Sequence, residues 1–283
     1  MKRIVLQIVI VVVFPFLGYA QHEFSVYGGG GLSNLKYTSA AGNQQSGFGA
    51  QLGLGYRFFF VPELGVGTGI EIALYSAKFN ADNINVSYRT TDMEGAPFDF
   101  RSSVSGYEER QKAYFLKIPL LLQYQRKIDK THLYYIAGGF KVGIPLNATY
   151  NNTADVLNNS GFYPKEIYEY TTQQFMGFGT FHDRTSHSDL EFQTTYFLSL
   201  EAGIKFKIGG ALYIGAYLDY ALNSVVKNPS LPFVEYHASN PAAFALNSIA
   251  NSKYARNGAT VSFTDVIRPV AAGVKVIIAF WNK

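Results

Sequence analysis

Residues 113–124 read AYFLKIPLLLQY. The even positions are Tyr114, Leu116, Ile118, Leu120, Leu122 and Tyr124, and the odd ones include Phe115, Lys117, Pro119, Leu121 and Gln123. A repeat of two residues is a strand signal, because successive side chains point to opposite faces. One face is wholly apolar with a tyrosine at each end, and the other carries a lysine and a glutamine. A strand with lipid on one side and a barrel interior on the other has this composition.

Seven further segments repeat the pattern: residues 23–32, 47–58, 64–76, 133–146, 191–207, 211–221 and 266–281. In all eight the apolar face falls on even numbers, from Phe24 to Phe280. Apart from Arg268 at a rim, no charged residue stands on an even position within them. The odd face carries Glu23, Arg57, Glu71, Lys117, Lys141, Glu201, Lys205, Asp219 and Lys275, interspersed with glycine. A soluble sandwich would place frequent charges on its outward face and bulky apolar residues inward. Here the apolar face excludes charge and the mixed face pairs charge with glycine, which predicts lipid contact outside and a tight polar lumen inside.

The connections alternate in length. Short turns are expected at 60–63, 126–131 and 208–210, and long connections at 33–46, 77–110, 147–190 and 223–265. Both termini then lie on the short-turn side, as in outer-membrane barrels with short periplasmic turns and long external loops. Aromatic residues collect at that end: Tyr56, Phe58, Phe59, Phe60, Tyr124, Tyr134, Phe206, Phe280 and Trp281. An interfacial girdle accounts for them. The predicted fold is therefore all-β: an antiparallel up-and-down transmembrane β-barrel of eight strands, with a filled lumen and four long external loops. Ten strands is the alternative, if part of the third or fourth connection pairs as a hairpin. Pro119 removes a ladder donor in a closed sheet, so a bulge or a missing hydrogen bond is expected beside it.

The chain opens with Lys2 and Arg3, an apolar run over 4–16 broken by Gln7 and Pro15, and then Gly18-Tyr19-Ala20. This reads as a signal peptide cut after Ala20, leaving residues 21–283 as one outer-membrane barrel domain. The apolar run is shorter than the ~20 residues a spanning helix needs. Only 16% of the 283 residues are charged, against ~25% in soluble proteins. The absence of cysteine excludes a disulfide framework and a thiolate metal site. The net charge of +4 falls to +2 without Lys2 and Arg3, too little to indicate a nucleic-acid partner.

The stretch AYFLKIPLLLQYQ resembles the Y-L-x-I-P-L-L-L-x-Y segment of PorT-like outer-membrane β-barrel proteins of the Bacteroidetes. The first strand YGGGGLSNL, the GLGYRF–LGVGTGI hairpin and the aromatic C-terminus are similar too. The long aromatic third connection and the final Asn282-Lys283 depart from that pattern. The resemblance implies the barrel and its outer-membrane location. Through the family's namesake, it also implies a link to secretion, but no catalytic residues.

Two constellations stand out. Arg57, Glu71, Lys117, Lys141, Glu201, Asp219 and Lys275 form an expected interior charge network, most of them at one depth. Buried charges are tolerated only when paired, so a salt-bridge plug is expected rather than an ion path. The third connection holds Tyr163, Tyr168, Tyr170, Phe175, Phe178 and Phe181, followed by His182 and His187, and is the candidate external contact loop. Loops on rigid scaffolds are where binding concentrates. His182, His187 and Asp189 are conceivable metal ligands, but their spacing matches no recognised ligand pattern. No cofactor, metal or catalytic residue is expected. The expected function is non-enzymatic: structural, adhesive or binding through external loops, or alternatively accessory to a secretion or uptake machine. Expected partners are outer-membrane lipid and lipopolysaccharide, and proteins through the loops.

Overall fold

The computed structural model describes residues 21–282 apart from 40, 208, 227–228 and 257–258. The expected signal peptide lies outside the described residues. In chain order the strands are β1 (Gln21–Lys36), β2 (Asn43–Val61), β3 (Leu64–Thr91), β4 (Pro97–Lys127), β5 (His132–Tyr163), β6 (Tyr168–Tyr170), β7 (Gly179–Asp189), β8 (Thr195–Lys207) and β9 (Ala211–Ala221). Five short strands follow: β10 (Leu231–Pro232), β11 (Val234–Glu235), β12 (Ala245–Leu246), β13 (Ser252–Arg256) and β14 (Ala259–Ser262). The last is β15 (Arg268–Asn282). Among the described residues β1 to β5, β8, β9 and β15 pair antiparallel, each with the next, and β15 pairs back to β1. Two more strands, β6 and β7, add to the upper part of β5.

Alternation decides which way each side chain of this ring points. Even-numbered apolar residues face outward and stay uncovered: Leu52 is 65% exposed, Leu120 61% and Phe140 58%. An apolar belt on every strand is more than a water-soluble surface carries. Odd-numbered residues face inward and are buried. Small residues make room there: a Cβ on Gly53 would lie 2.5 Å from the Tyr27 ring. Phe59, expected in the girdle, has odd parity and lies fully buried inside the ring, 5.1 Å below the Lys205 ammonium.

Pro119 keeps its register on both sides. The β3–β4 ladder skips Gly69 and Ile70, opposite Pro119 and Ile118, and resumes unshifted, so the defect is a local loss of pairing rather than a bulge. A bulge does lie in the adjacent β4–β5 ladder, where Leu146 is the extra residue between Pro145 and Asn147.

The largest departure from expectation is above the belt. Residues 77–110 are not a loop: β3 and β4 continue as a hairpin that turns only at 92–96. The first connection shrinks to 37–42 for the same reason, and β5 runs on to Tyr163 with β7 paired along it. Outward even positions here become charged, as in the Lys78–Glu108 pair at 2.9 Å, because water has replaced lipid. At one level the ladders skip Asp82, Gly106 and Asp155 on three adjacent strands. Inward parity then changes from Tyr107 and Glu109 to Val104, Ser102 and Phe100. Gly106 has φ +64°, the left-handed region that glycine enters without strain.

These extensions form a head with its own core. The fourth connection, with β10 to β14, folds onto their inner face. Phe98, Phe100 and Phe178 surround Tyr236, with ring centroids 5.1, 5.5 and 6.2 Å away. Phe233 packs on Tyr107 at 5.1 Å. Backbone groups of the connection are satisfied by wall side chains: Tyr236 N donates to Tyr88 Oη at 2.8 Å, and Asn152 Nδ2 donates to Leu246 O at 3.1 Å.

Candidate functional site

Inside the ring, the strands bring six charges together. Lys117 Nζ lies 2.7 Å from Asp219 and 3.3 Å from Glu71, while Lys141 Nζ lies 3.1 Å from Asp219 and 3.2 Å from Glu71. Lys275 Nζ lies 2.6 Å from Glu201 and 3.9 Å from Glu71. Three ammonium groups thus face three carboxylates, and all six side chains are almost wholly buried. Glu71 and Lys117 stand directly opposite each other in the β3–β4 ladder, so register alone sets the first pair.

Arg57 is not part of this cluster. It lies over the Tyr213 ring at 4.9 Å, in a separate layer nearer the short turns. That layer holds the ion pair of Lys205 with Glu23, to which Tyr213 also donates, and Gln125 accepts from Lys205 at 3.2 Å. Glu23 and Lys205 were visible as odd-face charges, but their pairing depends on how strands at opposite sides of the ring meet across it, which no single-strand pattern encodes. Tyr27, Arg57, Gln123 and Lys275 line a cavity of 20 Å³, room for about one water. A ring filled in this way is expected to carry no large, steady current in planar bilayers, and such a current would overturn the plug reading.

The residues of the third connection separate into support and surface. Phe178 is fully buried and Tyr163 nearly so, because β5 extends and folds both against Phe98. Phe178 therefore supports the head instead of forming a contact surface. Phe181 packs on Phe244 at 4.8 Å. Tyr168 and Phe175 are exposed, and Tyr170 is half-buried beside Tyr168. His182 and His187 pair opposite Val156 and Asn151 of β5. Because the alternation of β7 breaks at Asp183 (φ +50°), both face outward, but five residues of strand hold them roughly 16 Å apart and they do not converge. His187 Nδ1 donates to Tyr150 O at 3.0 Å. Among the described residues no group of three or more His, Asp or Glu could hold a metal ion.

Two surface residues escaped the sequence reading. Met93 is 70% exposed and Ile167 83% exposed, at the turns between β3 and β4 and between β5 and β6. Single apolar residues in turns give no periodic signal. Only the folded hairpins bring Met93 and Phe175 to one cavity, which Glu166, the residue before Ile167, also lines.

One buried acid fastens the head to the ring. Glu109 accepts hydrogen bonds from Tyr107 Oη, Gln111 Nε2 (2.5 Å), Ser248 Oγ (2.6 Å) and Ile249 N (3.0 Å). It stands above the belt, next to the charged outward residues Glu108 and Arg110. Burial pushes its carboxyl above the usual range, and the four donors only partly oppose that.

Residues 19–227 match the family model described as outer membrane protein beta-barrel domain. No curated protein matches the chain. Two solved structures of Ail, the attachment invasion locus protein of Yersinia pestis, are similar at 10% and 11% identity. The first is in complex with the heparin analogue sucrose octasulfate. Each comparison covers 93% of this chain and 99% of the other, with TM-scores of 0.28 and 0.25.

Proposed function

Because the chain belongs to the outer membrane protein β-barrel domain family, we propose that it is a non-enzymatic outer-membrane anchor that binds external partners through its head. In this reading residues 1–20 are removed as a signal peptide, the apolar belt contacts lipid and lipopolysaccharide, and the ionic lumen is a structural plug. The mass of the chain extracted from membranes tests the cleavage. The observation that carries the reading is the head itself. Wall strands continue far beyond the belt, enclose their own core, and end in exposed Met93, Ile167, Tyr168 and Phe175. A barrel serving only as an anchor would not need a rigid, apolar-tipped projection, and exposed apolar patches rimmed by polar residues mark interaction sites.

Cells displaying the chain are expected to adhere several-fold better than cells displaying Met93→Ser/Ile167→Ser/Tyr168→Ser at equal surface level. Equal adhesion with and without the whole chain would sink the proposal. The PorT-like, Bacteroidetes resemblance of residues 113–124 supports a second reading, an accessory of a secretion machine. That reading requires a partner retained in mild detergent whether or not the tip is changed.

A further inference from the structure

The tips of the β3–β4 hairpin, the β5–β6 turn and the fourth connection enclose a cavity of 350 Å³, within the range of small-molecule sites. Asp92, Glu94 and Glu166 line it together with Tyr163, Tyr170 and Phe175, and among the described residues no Lys or Arg does. Tyr236 closes the inner side. It is 7% exposed, and its buried hydroxyl has no hydrogen-bond partner among the described residues.

The chemistry of these walls selects an occupant. Three carboxylates without a counter-charge favour a cation. They are poorly disposed to strip water from a metal ion, because neighbours already occupy two of them. Asp92 Oδ1 accepts from Glu94 N and Ala96 N at 3.0 and 2.9 Å, and Asp92 Oδ2 accepts from Tyr163 Oη at 3.0 Å. Glu166 Oε2 accepts from Tyr170 Oη at 3.1 Å. What remains is a negative field lined by aromatic rings, which suits a large, weakly hydrated organic cation through cation–π contact. The unpartnered Tyr236 hydroxyl offers one hydrogen bond at depth, and the carboxylates repel any anionic group attached to the ligand.

We propose that this cavity binds a quaternary or methylated ammonium group free of a neighbouring phosphate, either choline-like and free or on a methylated lysine side chain. The proposal rests on reading the head as a binding surface.

Calorimetric titration of the full chain in a maltoside detergent tests it, with choline as the probe. The neutral isostere 3,3-dimethylbutan-1-ol and phosphocholine are both expected to bind at least about tenfold more weakly than choline. Glu94→Gln/Glu166→Gln, which alters two solvent-facing tip residues, is expected to weaken choline at least about tenfold. A trimethyllysine peptide binding tighter than choline identifies the side-chain source, and the reverse order identifies the free cation. The inference is overturned if choline does not bind, if choline and its isostere bind alike, or if the double variant binds as the parent does. Should choline fail while Met93→Ser/Ile167→Ser/Tyr168→Ser still lowers adhesion, the ligand class is wrong and the binding head stands.

Discussion

Replacing Lys117 by methionine is expected to destabilise the ring by about 3–5 kcal/mol, the usual cost of breaking a buried pair from one side. Lys117 Nζ lies within 2.7 Å of Asp219 and 3.3 Å of Glu71. Without it, both carboxylates share Lys141, and the cluster holds one uncompensated negative charge away from water. Methionine nearly conserves volume, and the Tyr75 and Phe197 rings that now flank the ammonium at 4.8 and 4.7 Å would accept a thioether. The loss is therefore electrostatic rather than steric. Adding Asp219→Asn restores neutrality and is expected to recover a large part of the loss. Full replacement of Glu71, Lys117, Lys141 and Asp219 by apolar residues of similar size is expected to be near neutral. Urea unfolding in lipid vesicles, followed by gel mobility, reads each variant. If Lys117→Met stays within about 1 kcal/mol of the parent, the cluster is not desolvated as argued.

What could be read from the sequence follows the solvent on each face. Where lipid meets one face, an outward charge is excluded, so even positions such as Leu52, Leu120 and Ile214 keep one sign without exception. The belt portion of each strand was legible for that reason. Above the belt, water covers the outward face, and Ser, Thr, Asn and charges become acceptable on both. The alternation also changes parity at Asp82, Gly106 and Asp155, and again at the Leu146 bulge. A fixed two-residue rule therefore ends at about residue 77 on β3 and reads a long hairpin as a loop. The head core was hidden too, because Phe98, Phe178 and Tyr236 meet only after three connections fold together. Exposed and buried aromatics in the third connection, Phe175 and Phe178, are indistinguishable by composition. Within the ring the odd face was legible as a set of charges. The division into a six-charge cluster and a lower Glu23–Lys205 layer depends on distances across the ring.

Docking of the fourth connection is expected to weaken as pH rises, with Glu109 as the sensor. The carboxyl is fully buried, and its pKa is raised by the loss of hydration. A raised folded value means that the native arrangement favours the protonated acid. Its contribution is fully present below the unfolded pKa of about 4.3 and is lost as pH passes through the raised value. The groups facing Glu109 cannot mask this. Tyr37, Tyr107 and Tyr150 all titrate above their ordinary range through burial, and Gln111 and Ser248 do not titrate. Ser248 Oγ and Ile249 N join the connection to this acid, so ionisation loosens residues 231–256 before it affects the ring. Limited proteolysis of the chain in detergent should cut that segment several-fold faster at pH 8 than at pH 5. Glu109→Gln keeps the shape and most of the hydrogen bonds but cannot ionise, so its cutting rate, corrected for protease activity at each pH, should be flat. Glu109→Ala leaves Ser248 Oγ and Ile249 N without their acceptor and is expected to expose the segment at both pH values, at a cost of about 1–3 kcal/mol per unsatisfied buried group. A parent chain whose corrected cutting rate does not change with pH would show that the four donors outweigh burial and hold Glu109 ionised throughout.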